Sequence, residues 1–337
     1  MIIGTLRYAS RADGTAPLFA DVCFEPTAMP KPLLIVMHGY GGQRLDVRLD
    51  IEQLAGRGVV AVAPDMRGRG DSGGRWDSGG LDVHDILDAA RAAVSAYADE
   101  IDACNMNLVG YSGGGGNAIS CMVRFPDLFR TCVSFFGISD YAGWYRSRGR
   151  PDCNEQMEAA LGGPPEALPD VYDARNAIPG AGNARSARLH FFWDEEETMC
   201  PPGMVAAFIE TYRQAGLSNA AVHVSRPGDA LRWTHNYRGG NPDLNAADDL
   251  YLPDVLAAPS ERCGLEPRGT FVVPGYLVTR RFEVWVADGQ RGRVTVGYDL
   301  TDETPRVWVI DNPGQHPVRI ETRSNLPEIA DPRASSE

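Results

Sequence analysis

Residues 106–125 read MNLVGYSGGGGNAISCMVRF, and this stretch decides the fold. It opens as an apolar strand, turns sharply through glycines and continues as an amphipathic helix. Within it Gly110-Tyr111-Ser112-Gly113-Gly114 satisfies G-x-S-x-G, a nucleophile turn. A serine at the tip of a strained strand-to-helix turn needs small neighbours two residues away on either side, where larger side chains would meet the adjoining strand and helix. The helix that follows points its N-terminal N–H groups at the serine, where they favour developing negative charge. Ser112 is therefore the candidate nucleophile, and Gly113 a candidate backbone donor to an oxyanion.

Outward from this turn, short apolar runs alternate with helical patterns. Strands are predicted at 33–37, 59–63, 106–110, 131–136, 188–193 and 220–225, each continuously apolar as for strands covered on both faces. Helices are predicted at about 46–57, 82–99, 114–124 and 203–215. That alternation implies an α/β fold with a doubly wound, mostly parallel sheet. Segments 1–8 and 18–25 add an antiparallel hairpin at one edge. Residues 138–185, rich in Gly, Pro, Arg and aromatics, read as a lid insertion with one short helical patch near 154–161. After Pro259 the pattern alternates apolar and polar, giving a small antiparallel β unit that leans on the core or on a second subunit, and then a loose tail. The expected division is 1–258 for a catalytic domain and 259–337 for a β-rich domain.

The chain has 337 residues, 43% hydrophobic and 23% charged, enough for a sizeable core. Its net charge of −13 argues against nucleic acid and gives no attraction to an anionic membrane. Seven cysteines (23, 104, 121, 132, 153, 200, 263) lack any Cys-x-x-Cys pair, so neither metal nor cofactor is expected. Their scatter, and the lack of a leader or spanning segment, suggest a cytoplasmic protein.

A serine nucleophile needs a base and an acid that orients it. Of six histidines, His190 and His223 fall in strands, His84 opens a helix and His316 belongs to the C-terminal unit. His38 precedes the glycine-rich run 39–42, and His235 sits in the loop RPGDALRWTHNYRGGNP (226–242). The run WDEEETMCPPG (193–203) offers Asp194, Glu195, Glu196 and Glu197, among which chemistry alone does not choose.

From about 30 to 240 the chain resembles an α/β-hydrolase of the prolyl-oligopeptidase and dienelactone-hydrolase type. The matching pieces are VMHGYGG (36–42), PDMRGRGDSGG (64–74), GYSGGGGN (110–117), FFGISDYAGWY (135–145), LGGPPE (161–166), YDARNAI (172–178) and the acid and histidine loops. The resemblance implies His235 as base. It also implies an acid loop of the form G-x-x-D-x-x-V-P, which aligns Glu197 with the acid and Pro201 with the proline; Asp194, directly after the strand, is the runner-up. Tyr40, the residue after His-Gly, is the implied second oxyanion donor. The 64–74 loop is expected to shape the sheet edge through turns and Arg–Asp pairs.

The expected chemistry is two-step acyl transfer through a Ser112 acyl-enzyme. Relatives include peptidases, esterases and lactonases, and the oligopeptidases carry a large N-terminal propeller that this sequence lacks. The main expectation is therefore a carboxylic-ester hydrolase acting on a small ester or short peptide. The alternatives are an aminopeptidase or acyl-peptide hydrolase, or a non-catalytic binding protein that keeps the fold. Trp144, Tyr145, Arg146, Arg148 and Arg150 lie in the lid, where they are candidates to hold an aromatic or anionic acyl group by stacking and ion pairing, and Tyr111 is a further candidate substrate contact. An edge strand of the C-terminal unit is a candidate contact for a homo-oligomer.

Overall fold

The computed structural model describes residues 1–257 and 264–323. Its centre is an eight-stranded sheet. β1 (Ile2–Tyr8) and β2 (Leu18–Phe24) form the antiparallel hairpin, and β2 runs antiparallel to β4 (Val60–Pro64). β3 (Lys31–Met37), β5 (Ile101–Tyr111), β6 (Thr131–Phe135), β7 (Arg188–Asp194) and β8 (Ala220–Ser225) complete the order β1-β2-β4-β3-β5-β6-β7-β8. From β4 to β8 every pairing is parallel. The fold is that of an α/β-hydrolase.

β4 and β6 are buried along their whole length because helices cover both faces. One face is packed by α2 (Leu81–Ala96), α3 (Gly113–Arg124) and α7 (Gly203–Gln214), the other by α1 (Arg48–Ala55) and α8 (Leu244–Leu256). β8 departs from the expectation of two covered faces. As the sheet's last strand it alternates, with Val222 and Val224 exposed. His190 and His223 stack on each other there, as strand residues, away from the nucleophile turn. The 64–74 loop is pinned as expected: Arg67 grips Asp85 of α2 through two 2.7 Å hydrogen bonds, and Arg44 pairs with Asp65.

The segment 138–185, expected as a lid, is more helical than its composition suggested. It holds α4 (Tyr141–Ser147), α5 (Pro151–Leu161) and α6 (Pro169–Asp173). Its prolines and glycines are start and stop signals rather than breaks. Pro151 and Pro169 stand in the first turns of α5 and α6, and Gly162 ends α5 in the left-handed conformation. Asp140 caps α4 by accepting a hydrogen bond from the Ala142 amide.

The C-terminal unit is two three-stranded antiparallel sheets. One pairs β9 (Arg268–Pro274), β12 (Arg293–Asp299) and β13 (Arg306–Asp311); the other pairs β10 (Tyr276–Val278), β11 (Phe282–Val286) and β14 (Val318–Thr322). It leans on the hydrolase core, for Tyr276, Val278 and Trp285 join the same apolar cluster as α2 and α3. The expected boundary at 258–259, Cys263 and the tail from 324 lie outside the described residues. Among the described residues no helix is long and apolar enough to cross a membrane, and no His, Cys, Asp and Glu gather as a metal site.

Candidate active site

Four loops at the carboxyl ends of β3, β5, β7 and β8 meet over the sheet. Ser112 sits between β5 and α3 with φ 55° and ψ −119°, held by its amide to the Phe135 carbonyl at 2.9 Å. The glycines on either side are required by space. A Cβ on Gly110 would stand 2.1 Å from the Gly114 carbonyl oxygen, and one on Gly114 2.4 Å from the carbonyls of Met37 and His38. A side chain at either place would push the helix off the sheet.

His235, on the loop after β8, brings Nδ1 to 2.9 Å from Glu197 Oε2. The other Glu197 oxygen accepts from the amides of Met199 at 2.6 Å and Cys200 at 2.9 Å. Burial works to raise the Glu197 pKa. The hydrogen bond from His235 and the two amides outweigh it, and the carboxyl ends below its ordinary range. Phe136 stacks on the His235 ring at 4.3 Å and fixes its plane. Asp194, the runner-up acid, faces elsewhere. It accepts from Ser225 Oγ at 2.6 Å and from two nitrogens of Arg232, whose hydrogen bonds bring its pKa down to about 2.

The Ser112 hydroxyl contacts the Cys200 thiol at 3.4 Å, while His235 lines the same cavity. Burial pushes the Cys200 thiol up to about 12, so it is a small neutral neighbour rather than a thiolate. Tyr40 lies directly against Gly113: a Cβ there would be 2.8 Å from the Tyr40 nitrogen. The loop carrying Tyr40 is braced from both ends. His38 Nδ1 donates to the Gly39 carbonyl at 2.8 Å and its Nε2 accepts from the Met66 amide at 3.2 Å, which fixes a neutral ring; burial brings its pKa down to about 4. Tyr237 Oη accepts from the Gly39 amide at 2.6 Å.

Ser112 and His235 open on a cavity of about 440 Å³. Tyr40, Tyr111 and Trp144 line it, and Trp144 is fixed by its indole N–H on the Met199 carbonyl at 2.7 Å. Tyr145 and Arg146 do not line it, because successive residues on a helix turn by about 100° and only Trp144 faces inward. Tyr145 donates instead to Glu158, and Arg146 pairs with Glu166 at the surface. Sequence reasoning missed Tyr237, Met199 and Asp46, whereas Arg150, one of the arginines it offered as a contact for an anionic acyl group, lines the cavity. The aromatic two residues after His235 was the available signal for Tyr237.

A strained serine on an α/β-hydrolase sheet, facing a carboxylate-held imidazole across one cavity, defines a class of nucleophilic enzyme scaffold. The chain belongs to the prolyl oligopeptidase family, whose model matches residues 45–218. An uncharacterized peptidase, YtmA of Bacillus subtilis (strain 168), is 28% identical over 149 residues, 44% of this chain and 56% of that relative. The Pyrococcus horikoshii acylaminoacyl peptidase shares the fold at a TM-score of 0.62 and 16% identity, over 78% of this chain and 43% of that one. A Mycobacterium tuberculosis puromycin-hydrolyzing peptidase matches with a TM-score of 0.62 and 20% identity, over 79% and 41%. An esterase of Pyrococcus furiosus matches at 0.56 and 15%, over 75% and 90%. The chain thus spans just over half the length of its curated relative and less than half that of these two peptidases.

Proposed function

We propose that the protein is a serine hydrolase that cleaves short peptides or acyl peptides through a Ser112 acyl-enzyme. The observation that carries the reading is the Glu197–His235 pair, set in the cavity that Ser112 opens on. Membership of the prolyl oligopeptidase family supports peptides over the simple esters that the sequence first suggested.

In this reading His235 Nε2 takes the proton from Ser112 Oγ as the oxygen attacks the scissile carbonyl. Glu197 holds Nδ1–H, selects the tautomer and stabilises the imidazolium. The amides of Tyr40 and Gly113, on backbone segments that lie against each other, receive the developing oxyanion. His235 then gives its proton to the leaving amine, and water attacks the acyl-enzyme by the same route in reverse. Tyr111 and Trp144 contact substrate. Residues 1–258 form the catalytic part and 259–337 an appended β unit. An ester is an easier substrate for the same steps, so ester cleavage accompanies peptide cleavage.

The test pairs a fluorophosphonate label with panels of aminoacyl anilides and nitrophenyl esters. Labelling at Ser112 and anilide turnover are expected, with Ser112→Ala losing both, turnover by about 10⁶-fold. An unlabelled wild-type protein sinks the hydrolase reading. Labelling with ester turnover alone sinks the peptidase part.

A further inference from the structure

The cavity has two unlike walls. His235 must reach the leaving group, so that group departs past the histidine loop, where Asn236, Tyr237 and Asp46 stand. The acyl part then rests on the lid side, against Trp144, Cys153 and Met199. On that side stands Arg150, the one Lys or Arg among the described lining residues.

Arg150 presents its guanidinium in the two-pronged geometry that suits a carboxylate. It donates from Nε to Asp152 Oδ1 at 2.9 Å and from Nη2 to Asp152 Oδ2 at 2.6 Å. The pair is exposed, its side chains retaining 40% and 56% of their surface, so water and other carboxylates compete for it. Arg150 also precedes the first turn of α5, whose N-terminal end adds positive potential. Asp46 stands at the other wall beside Gly42 and Tyr237, so a ligand carboxylate is favoured at the Arg150 end rather than beside Asp46.

Resting on the hydrolase reading above, we propose that Arg150 makes the site selective for acyl groups bearing a carboxylate, such as peptides cleaved after an acidic residue. The ligand carboxylate takes the place of Asp152 on the guanidinium fork. No covalent step changes; the discrimination is in binding and orientation of the acyl part.

The test compares N-capped anilides with Glu or Gln as the residue that acylates Ser112, read as the ratio of kcat/KM. Wild type should favour Glu by about 5- to 10-fold, less so as salt is raised. Arg150→Gln should bring the ratio to about one, Arg150→Lys should keep part of it, and Arg150→Glu should invert it. Asp152→Asn, which frees the fork, should raise it. A wild-type ratio of one, or a Glu preference that survives Arg150→Gln, overturns the inference while leaving the peptidase reading intact. Failure to cleave either anilide defeats both.

Discussion

Four carboxylates follow one another at 194–197, and only the last of them turns to the histidine. Asp194 is bound by Arg232 and Ser225, Glu195 and Glu196 pair with Arg226 and Arg232 at the surface, and Glu197 turns in to His235. Glu197→Gln should therefore cut turnover by about 10⁴-fold, the scale for a triad whose acid no longer fixes the imidazole tautomer. Asp194→Asn should keep most turnover but lower stability. The sign follows from its depressed pKa: the Asp194 contribution is present above the ordinary carboxylate pKa and fades as the pH falls toward about 2. Comparing turnover and acid melting of the two variants checks this, and a larger loss of turnover in Asp194→Asn refutes the assignment. Glu197 was legible because a loop pattern reaches it by counting along the chain. Tyr237 was not, because its place depends on how separate loops converge, and no spacing records that.

At the scale of the element, the nucleophile helix is set by the absence of side chains. Gly114 has carbonyl oxygens where its Cβ would go, whereas a Cβ on Gly41, also in the site, would have nothing within 4 Å. Gly114→Ala should cost about 1–3 kcal/mol, seen as a lower melting temperature, and Gly41→Ala should cost almost none. Equal melting of the two variants would count against the packing argument. The strands and four of the five helices that flank the sheet were readable because apolar period reports burial directly. Between 138 and 185 only α5 was read, in part, at 154–161; α4 and α6, seven and five residues long, are too short for period to outweigh composition. α8 also went unread, because its sequence LNAADDLYLPDVL carries a proline inside and little one-sided pattern.

Across the whole molecule, one buried side chain ties the parts together. Arg124, at the end of α3, donates from Nε to the Pro274 carbonyl at 3.1 Å, from Nη1 to Gly79 at 2.8 Å and from Nη2 to Ala174, and lies over the Tyr276 ring. Tyr276 donates in turn to the Gly80 carbonyl at 3.1 Å, and stacks with Trp285 beside His84 of α2. Calorimetry should accordingly give one cooperative transition, and Arg124→Met should lower all of it by several kcal/mol, since buried carbonyls lose their donor. Two separated transitions would contradict this. The sequence left open whether this unit leans on the core or on a second subunit, because alternation announces a sheet but not what its inner face touches. A chain cut after Leu256 would bare the footprint of Tyr276, Val278 and Trp285 on α2 and α3. Such a truncation would gain stickiness before it lost chemistry, and would be found in the pellet rather than in the assay.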